Sequence, residues 1–285
     1  NNASDAVQPA NAPLSAFLDV YGNLLVADGA NRVLYFAPQV SVISAANYSS
    51  RPLTPGSIAS IYPQPTSNIV AAGTANFNST IPVPTLLADT QVLVNGTPSP
   101  LFYVSPGQIN FVLPNGLPTG GTADIQVVRQ STGQVYAGAE IGLASADPAL
   151  FTTNTSGSGQ VAAINFVDGS INSPLNPVAR GQIIELYGTG IGPVANAPPD
   201  GQPPSGAAMA GDLPQIVIGS SPTFVPSSNV LYSGLAPGLV GVWQINLLVP
   251  ADATVGSSVP IKVFEGSIPN TDPSNFLGNT TIAIK

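Results

Sequence analysis

The sequence predicts an all-β chain: two tandem β-sandwiches preceded by a β-hairpin extension. Three observations carry this. Short runs rich in β-branched and aromatic residues recur along the chain, among them VLV (92–94), QINFVL (108–113), DIQVV (124–128), QIIELY (182–187), QIVIG (215–219) and WQINLLV (243–249). The 29 Gly and 30 Pro punctuate those runs too closely for long helices, and no stretch keeps helical apolar spacing beyond two turns. Finally, one unit occurs twice.

The repeat is read from four blocks in the same order. QVSVISAANYSSRPLTPGSIASIY (39–62) aligns with QVAAINFVDGSINSPLNPVARGQIIELY (160–187), so that Gly56, Ile58 and Tyr62 match Gly181, Ile183 and Tyr187. GQINFVLP (107–114) matches WQINLLVP (243–250), ADIQVV (123–128) matches VPIKVF (259–264), and EIGLAS (140–145) matches TTIAIK (280–285). This divides the chain into 1–38, 39–146 and 147–285, and equivalent residues of the two repeats are expected at equivalent core or near-core sites. About seven short strands per unit, with turn signals every 8–12 residues, is the sandwich pattern. Within FVDGSIN (166–172), Asp168-Gly169 predicts a hairpin with a primed turn.

Composition narrows the chemistry. With no His, the chain has no Ser-His-Asp system and no histidine metal site; with no Cys, it has no disulfide, zinc ribbon or thiol chemistry. Six Lys+Arg against 14 Asp+Glu give a net charge of −8, which argues against nucleic acid. No apolar run is long enough to span a bilayer as a helix, so no membrane insertion is expected. Only 7% of residues are charged, so the surface must be built from Ser, Thr, Asn, Gln, Gly and Pro. That surface suits an extracellular chain, secreted or held at a cell surface, or a subunit packed into a polymer. The opening NNASDAVQPANAP carries no signal peptide and reads as the start of a processed product.

LSAFLDVYGNLLVADGANRVLYF (14–36) reads as three strands joined by turns at Tyr21–Asn23 and Asp28–Asn31. It resembles a single NHL repeat, the blade unit of a β-propeller, through Asp19, Gly22, Asn23, Leu24, Val26, Ala27, Asp28, Asn31, Arg32 and Val33. One blade cannot bury both of its faces, so the segment needs a partner surface. NPVARGQIIELYGTGIGPV (176–194), VNGTPSPLFYVSPGQINFVLP (94–114) and VLYSGLAPGLVGVWQINLLVP (230–250) resemble the Solibacter-type C-terminal family of secreted acidobacterial proteins. That resemblance implies extracellular, bacterial, Ig-like (IPT/TIG-type) modules with no established activity, often following NHL-type repeats. The first unit departs from it, with Tyr62-Pro63-Gln64-Pro65 where the second has the fuller turn Tyr187-Gly188-Thr189-Gly190-Ile191-Gly192-Pro193.

No residue stands out as catalytic, cofactor-binding or metal-binding, and no cofactor is expected. Glu185 sits between Ile184 and Leu186, so alternation turns it to solvent. Lys262, between Ile261 and Val263, reads the same way. Asp28-Gly29, Asp168-Gly169 and Asp200-Gly201 read as turns, because calcium needs a denser oxygen cluster. Six Asn-x-Ser/Thr sequons, at Asn2, Asn47, Asn78, Asn95, Asn154 and Asn279, are glycosylation candidates, though this Asn- and Ser-rich composition yields several by coincidence. Trp243, where the other unit has Gly107, is a candidate for sugar stacking at an exposed rim.

The expected function is therefore that of a non-enzymatic extracellular structural protein. In that reading it is the subunit of a surface filament, self-associating as residues 1–38 add strands to the next copy. The alternative is a monomeric adhesion or carbohydrate-binding Ig-like module, with a glycan partner, at the end of a larger secreted propeller protein.

Overall fold

A computed structural model describes residues 13–18, 24–28, 33–36, 40–64, 71–220, 224–270 and 280–285. The chain is all-β. Strands β1 (Pro13–Leu18), β2 (Leu24–Asp28) and β3 (Val33–Phe36) form an antiparallel meander in the order β1-β2-β3. Among the described residues these strands pair only with one another. Phe17 is 57% exposed. The turns expected after β1 and β2 lie outside the described residues.

The first sandwich contains β4 (Val40–Ser44), β5 (Ile58–Pro63), β6 (Thr90–Val94), β7 (Leu101–Ser105), β8 (Gln108–Val112), β9 (Thr122–Arg129) and β10 (Gln134–Gly142). One sheet runs β4-β5-β8-β7, the other β10-β9-β6. Inward alternation sends Ile61, Leu101, Val104, Ile109 and Phe111 of the first sheet against Val92, Val94, Ile125, Val127 and Tyr136 of the second. Asn95 and Gly96 close a two-residue hairpin after β6, both with positive φ (49° and 79°), as a primed turn requires.

The second sandwich contains β11 (Ala163–Asn165), β12 (Ile183–Thr189), β13 (Gln215–Ile218), β14 (Val230–Leu235), β15 (Trp243–Leu248), β16 (Gly256–Glu265) and β17 (Thr280–Ile284). Its sheets run β11-β12-β15-β14 and β17-β16-β13. Lettered in chain order, both units are A-B-E-D against C-F-G, the immunoglobulin constant-type arrangement. Even the register repeats. Ile58 faces Val112 and Ile61 faces Ile109 in the first unit; Ile183 faces Leu248 and Leu186 faces Ile245 in the second. Tyr62 on β5 and Tyr187 on β12 hold equivalent places.

Two turns differ from expectation. The hairpin at Asp168-Gly169 forms, but its loop has four residues, Phe166 to Gly169, closed by the Gly169 amide donating to the Asn165 carbonyl at 2.9 Å. Within it only Gly169 has positive φ, so the two-residue primed turn is not made. The run Gly188-Thr189-Gly190-Ile191-Gly192 is not a turn either: its glycines make a trench. A Cβ on Gly188, Gly190 or Gly192 would run into the carbonyl oxygens of Ala149, Asp147 and Ser145 respectively. The connection between the sandwiches lies in that trench, with Ala149 paired to Thr189 and Leu150 to Gly188. Its other end is tied to the first unit, where Leu53 donates to Gly142, Ala144 donates to Leu53 and Thr54 Oγ1 donates to Ser145. Leu143 belongs to the first core and Leu150 to the second.

Side chains lock this junction. The Arg51 guanidinium meets Asp147 at 2.7 Å and donates to the carbonyls of Pro269 (2.7 Å) and Pro148 (3.3 Å). Asp147 is 2% exposed, and burial pushes its carboxyl up to about 6 against the pull of Arg51. Thr189 Oγ1 accepts from the Ile58 amide and donates to the Gly241 carbonyl, both at 2.9 Å. The Asn115 amide donates to Asp200, and Asn115 Nδ2 to the Pro198 carbonyl. Beneath these bonds a small third core gathers Ile58, Val83 and Val112 of one unit with Val240 of the other.

Candidate functional site

The outward face of each A-B-E-D sheet carries a row of aromatic and amide side chains. On the first unit these are Tyr62 and Ser60 from β5, Gln108 and Asn110 from β8, and Tyr103 from β7, with Asn110 registered against Ser60 on one side and Tyr103 on the other. On the second they are Tyr187 and Glu185 from β12, Gln244 and Asn246 from β15, and Tyr232 from β14, with Asn246 between Glu185 and Tyr232. Strand alternation produces the arrangement: Ile109 and Ile245 point into the cores, so their neighbours on both sides point out.

The same hydrogen bond orders both rows. Gln108 Nε2 donates to Asn110 Oδ1, and Gln244 Nε2 to Asn246 Oδ1, each at 2.8 Å. Ser60 Oγ donates to Asn110 Oδ1 at 2.8 Å. Glu185 accepts from Tyr187 Oη at 3.0 Å and from Gln244 Nε2 at 3.3 Å. Burial, reinforced by Glu185, pushes the Tyr187 hydroxyl up to about 12, so it stays a neutral donor. Burial raises Tyr62 too, with Tyr48 adding to the effect.

Trp243 does not join this face. Its burial pattern on β15 is that of the inward residues, and it is 0% exposed, with Nε1 donating to Ser233 Oγ at 2.9 Å inside the core. The expected exposed rim position is therefore corrected. Heading a strand with the inward phase of Ile245 and Leu247 fixes its direction, whatever the other unit holds at Gly107. Alternation had already indicated the face through Glu185, yet Tyr103 and Tyr232 were missed. They pair with the matched Asn residues across loops of different length, which hides the match in sequence.

The other candidates scatter. Asn78, Asn95 and Asn154 are exposed, and the Asn78 and Asn154 side chains meet the hydroxyls of their own sequons, Thr80 and Ser156. Asn47 is half-buried and donates Nδ2 to the Asn270 carbonyl across the junction. Asn2 and Asn279 lie outside the described residues. Asp168 accepts the Ser170 amide within its own hairpin loop, while Asp200 holds Asn115 across the junction. Glu185 and Lys262 are half-buried on the outward phase of their strands. One pair of carboxylates went unnoticed in the sequence: Glu265, at the end of β16, is pushed up to about 7 by burial and then by Asp212. Among the described residues no three acidic side chains gather as a metal site.

No protein-family model matches the chain. No curated protein matches it either. Among solved structures it is similar to SGBP-B of the Bacteroides ovatus mixed-linkage glucan utilization locus, in complex with a mixed-linkage heptasaccharide, at 14% identity and TM-score 0.33, covering 92% of this chain and 52% of that one. It is also similar to the plexin A4 extracellular region, at 12% identity and TM-score 0.19, covering 85% and 27%. An endo-fucoidan hydrolase of glycoside hydrolase family 107 follows, at 14% identity and TM-score 0.16, covering 87% and 29%. The chain spans about half the length of the first of these, and none of the three superposes well enough to support an argument about function. Among the described residues no helix is long and apolar enough to cross a membrane.

Proposed function

We propose that this chain is a non-enzymatic structural module of an extracellular bacterial protein, a stiff pair of Ig-like sandwiches of the Solibacter-type C-terminal kind. The observation that carries the reading is the junction. A connection hydrogen-bonded to both units, laid in a glycine trench and pinned by Arg51–Asp147, leaves no hinge between the sandwiches. Rigid spacing is what a structural element supplies. The charge-poor surface, built of hydroxyl and amide side chains, supports an extracellular setting. Assembly into a filament is the finer reading, favoured by a β1–β3 meander that leaves Phe17 in solvent. Sedimentation of the full chain tests it. Association that rises with concentration, and disappears when residues 1–38 are deleted, is expected; a full-length chain monomeric at every concentration refutes the filament.

A further inference from the structure

We infer that the outward A-B-E-D faces of the two sandwiches are a matched pair of binding faces for one occupant, a neutral, hydroxyl-rich polymer of the polysaccharide class. The inference shares with the structural reading above the fixed relation of the two sandwiches, and does not rest on the filament.

The first support is the repeat itself. Inward residues of a duplicated unit are held by packing. Outward residues are under less constraint, and at these faces Ser60, itself covered (2% exposed), stands where the second unit has Glu185. Four outward positions have not drifted: Tyr62 and Tyr187, Tyr103 and Tyr232, Gln108 and Gln244, Asn110 and Asn246. Tyr187 and Tyr232 spend their hydroxyls on Glu185 and on the Leu235 carbonyl, which leaves their rings for a ligand. All eight side chains are half-buried, so each keeps a surface for a ligand.

The second support is the bonding left over. In both units the Gln amide nitrogen is used on the Asn oxygen. That leaves the Asn nitrogen as donor and the Gln oxygen as acceptor, oriented and without a protein partner among the described residues. A hydroxyl both donates and accepts, so sugar hydroxyls match this pair. Flanking tyrosines add flat apolar surface. Across three strands and two residue steps the face measures about 10 Å by 7 Å; the first face is bounded at one end by the third core at Ile58 and Val112, and the shallow strip that remains suits a chain lying across it rather than an enclosed small molecule.

Charge selects among polymers. The first face carries no ionised group, and the second adds only Glu185, in a chain of net charge −8. Nothing there compensates an anionic polymer, whereas the Glu185 carboxylate accepts hydroxyl hydrogens strongly, making the second face the tighter one. Two such faces held in fixed relation bind a long chain by avidity.

Affinity electrophoresis of the full chain tests this, with hydroxyethyl cellulose, xylan, galactomannan and dextran as neutral polymers and polygalacturonate and alginate as acidic ones. At least one neutral polymer should retard the protein and neither acidic one should. Tyr187→Ala/Asn246→Ala should weaken retardation about 10-fold or more, Tyr62→Ala/Asn110→Ala less, and the four together should abolish it, since loss of either face removes the avidity. The conservative pair Asn110→Asp/Asn246→Asp, with thermal midpoints recorded, separates lost binding from lost folding. Absence of retardation by every neutral polymer overturns the inference. So does undiminished retardation of the folded quadruple variant, or equal retardation by the acidic polymers.

Discussion

Replacing Arg51 by alanine removes the cation from a carboxylate that is 2% exposed and strips the Pro148 and Pro269 carbonyls of a donor. Breaking one side of a buried ion pair costs about 3–5 kcal/mol. The cost depends on pH, and the sign follows from Asp147. Its folded-state value, about 6, lies above the ordinary carboxyl value of 3.8. The native state therefore holds the proton more tightly, and stability falls as pH rises through that window. That difference corresponds to roughly 3 kcal/mol. Without Arg51 the folded-state value climbs further, so the window extends above pH 6. At pH 4.5 Asp147 is largely protonated in the variant and only the carbonyl bonds are lost, about 1–3 kcal/mol. At pH 8 the full penalty applies. Urea unfolding of both proteins at the two pH values measures this. The destabilisation should be at least about 1.4 kcal/mol larger at pH 8, one pKa unit's worth, and Arg51→Met/Asp147→Leu should recover most of it. A loss independent of pH, or one below about 1 kcal/mol at pH 8, refutes the reasoning, since it would place the pair among solvent-screened ones.

Glu265→Gln should stabilise the protein above pH 7 and do little below pH 4.5, because the folded-state value near 7 makes the ionised form costly; thermal midpoints across pH 4–9 check it. Trp243→Phe should cost about 1–3 kcal/mol through the orphaned Ser233 hydroxyl, read by urea unfolding, with polymer retardation unchanged; a loss of retardation in the folded variant would restore the sugar-stacking role. Gly241→Val should loosen the junction, since φ is +70° and a Cβ there meets Ile58 Cγ1 at 2.9 Å; faster proteolysis within 143–150 is the expected readout, and unchanged proteolysis the contrary one.

The two sandwiches were legible because their signals are periodic. Ile109 and Ile245 sit inside matched Gln-Ile-Asn triplets, and the flanking β-branched runs fix both strand and face. The Gly188–Gly192 run misled because glycine marks close approach as readily as it marks turns. Here every second residue is a glycine that faces the connection, a contact between residues distant in sequence. Arg51 and Asp147 gave no signal for the same reason: they are distant in sequence and meet only through the fold. The outward face was half legible, Glu185 through alternation, while Tyr103 and Tyr232 were concealed by the unequal loops that precede Gln108 and Gln244. For Trp243, alternation with Ile245 was the better guide than comparison with Gly107.

The absence of cysteine lets the junction's rigidity be measured cleanly. Thr132→Cys on the first sandwich and Asp252→Cys on the second, both exposed, accept two spin labels and no others. Double electron–electron resonance between them should give one narrow distance distribution that broadens when Gly241→Val is added. A broad or bimodal distribution in the otherwise unaltered chain would contradict a hingeless pair of sandwiches.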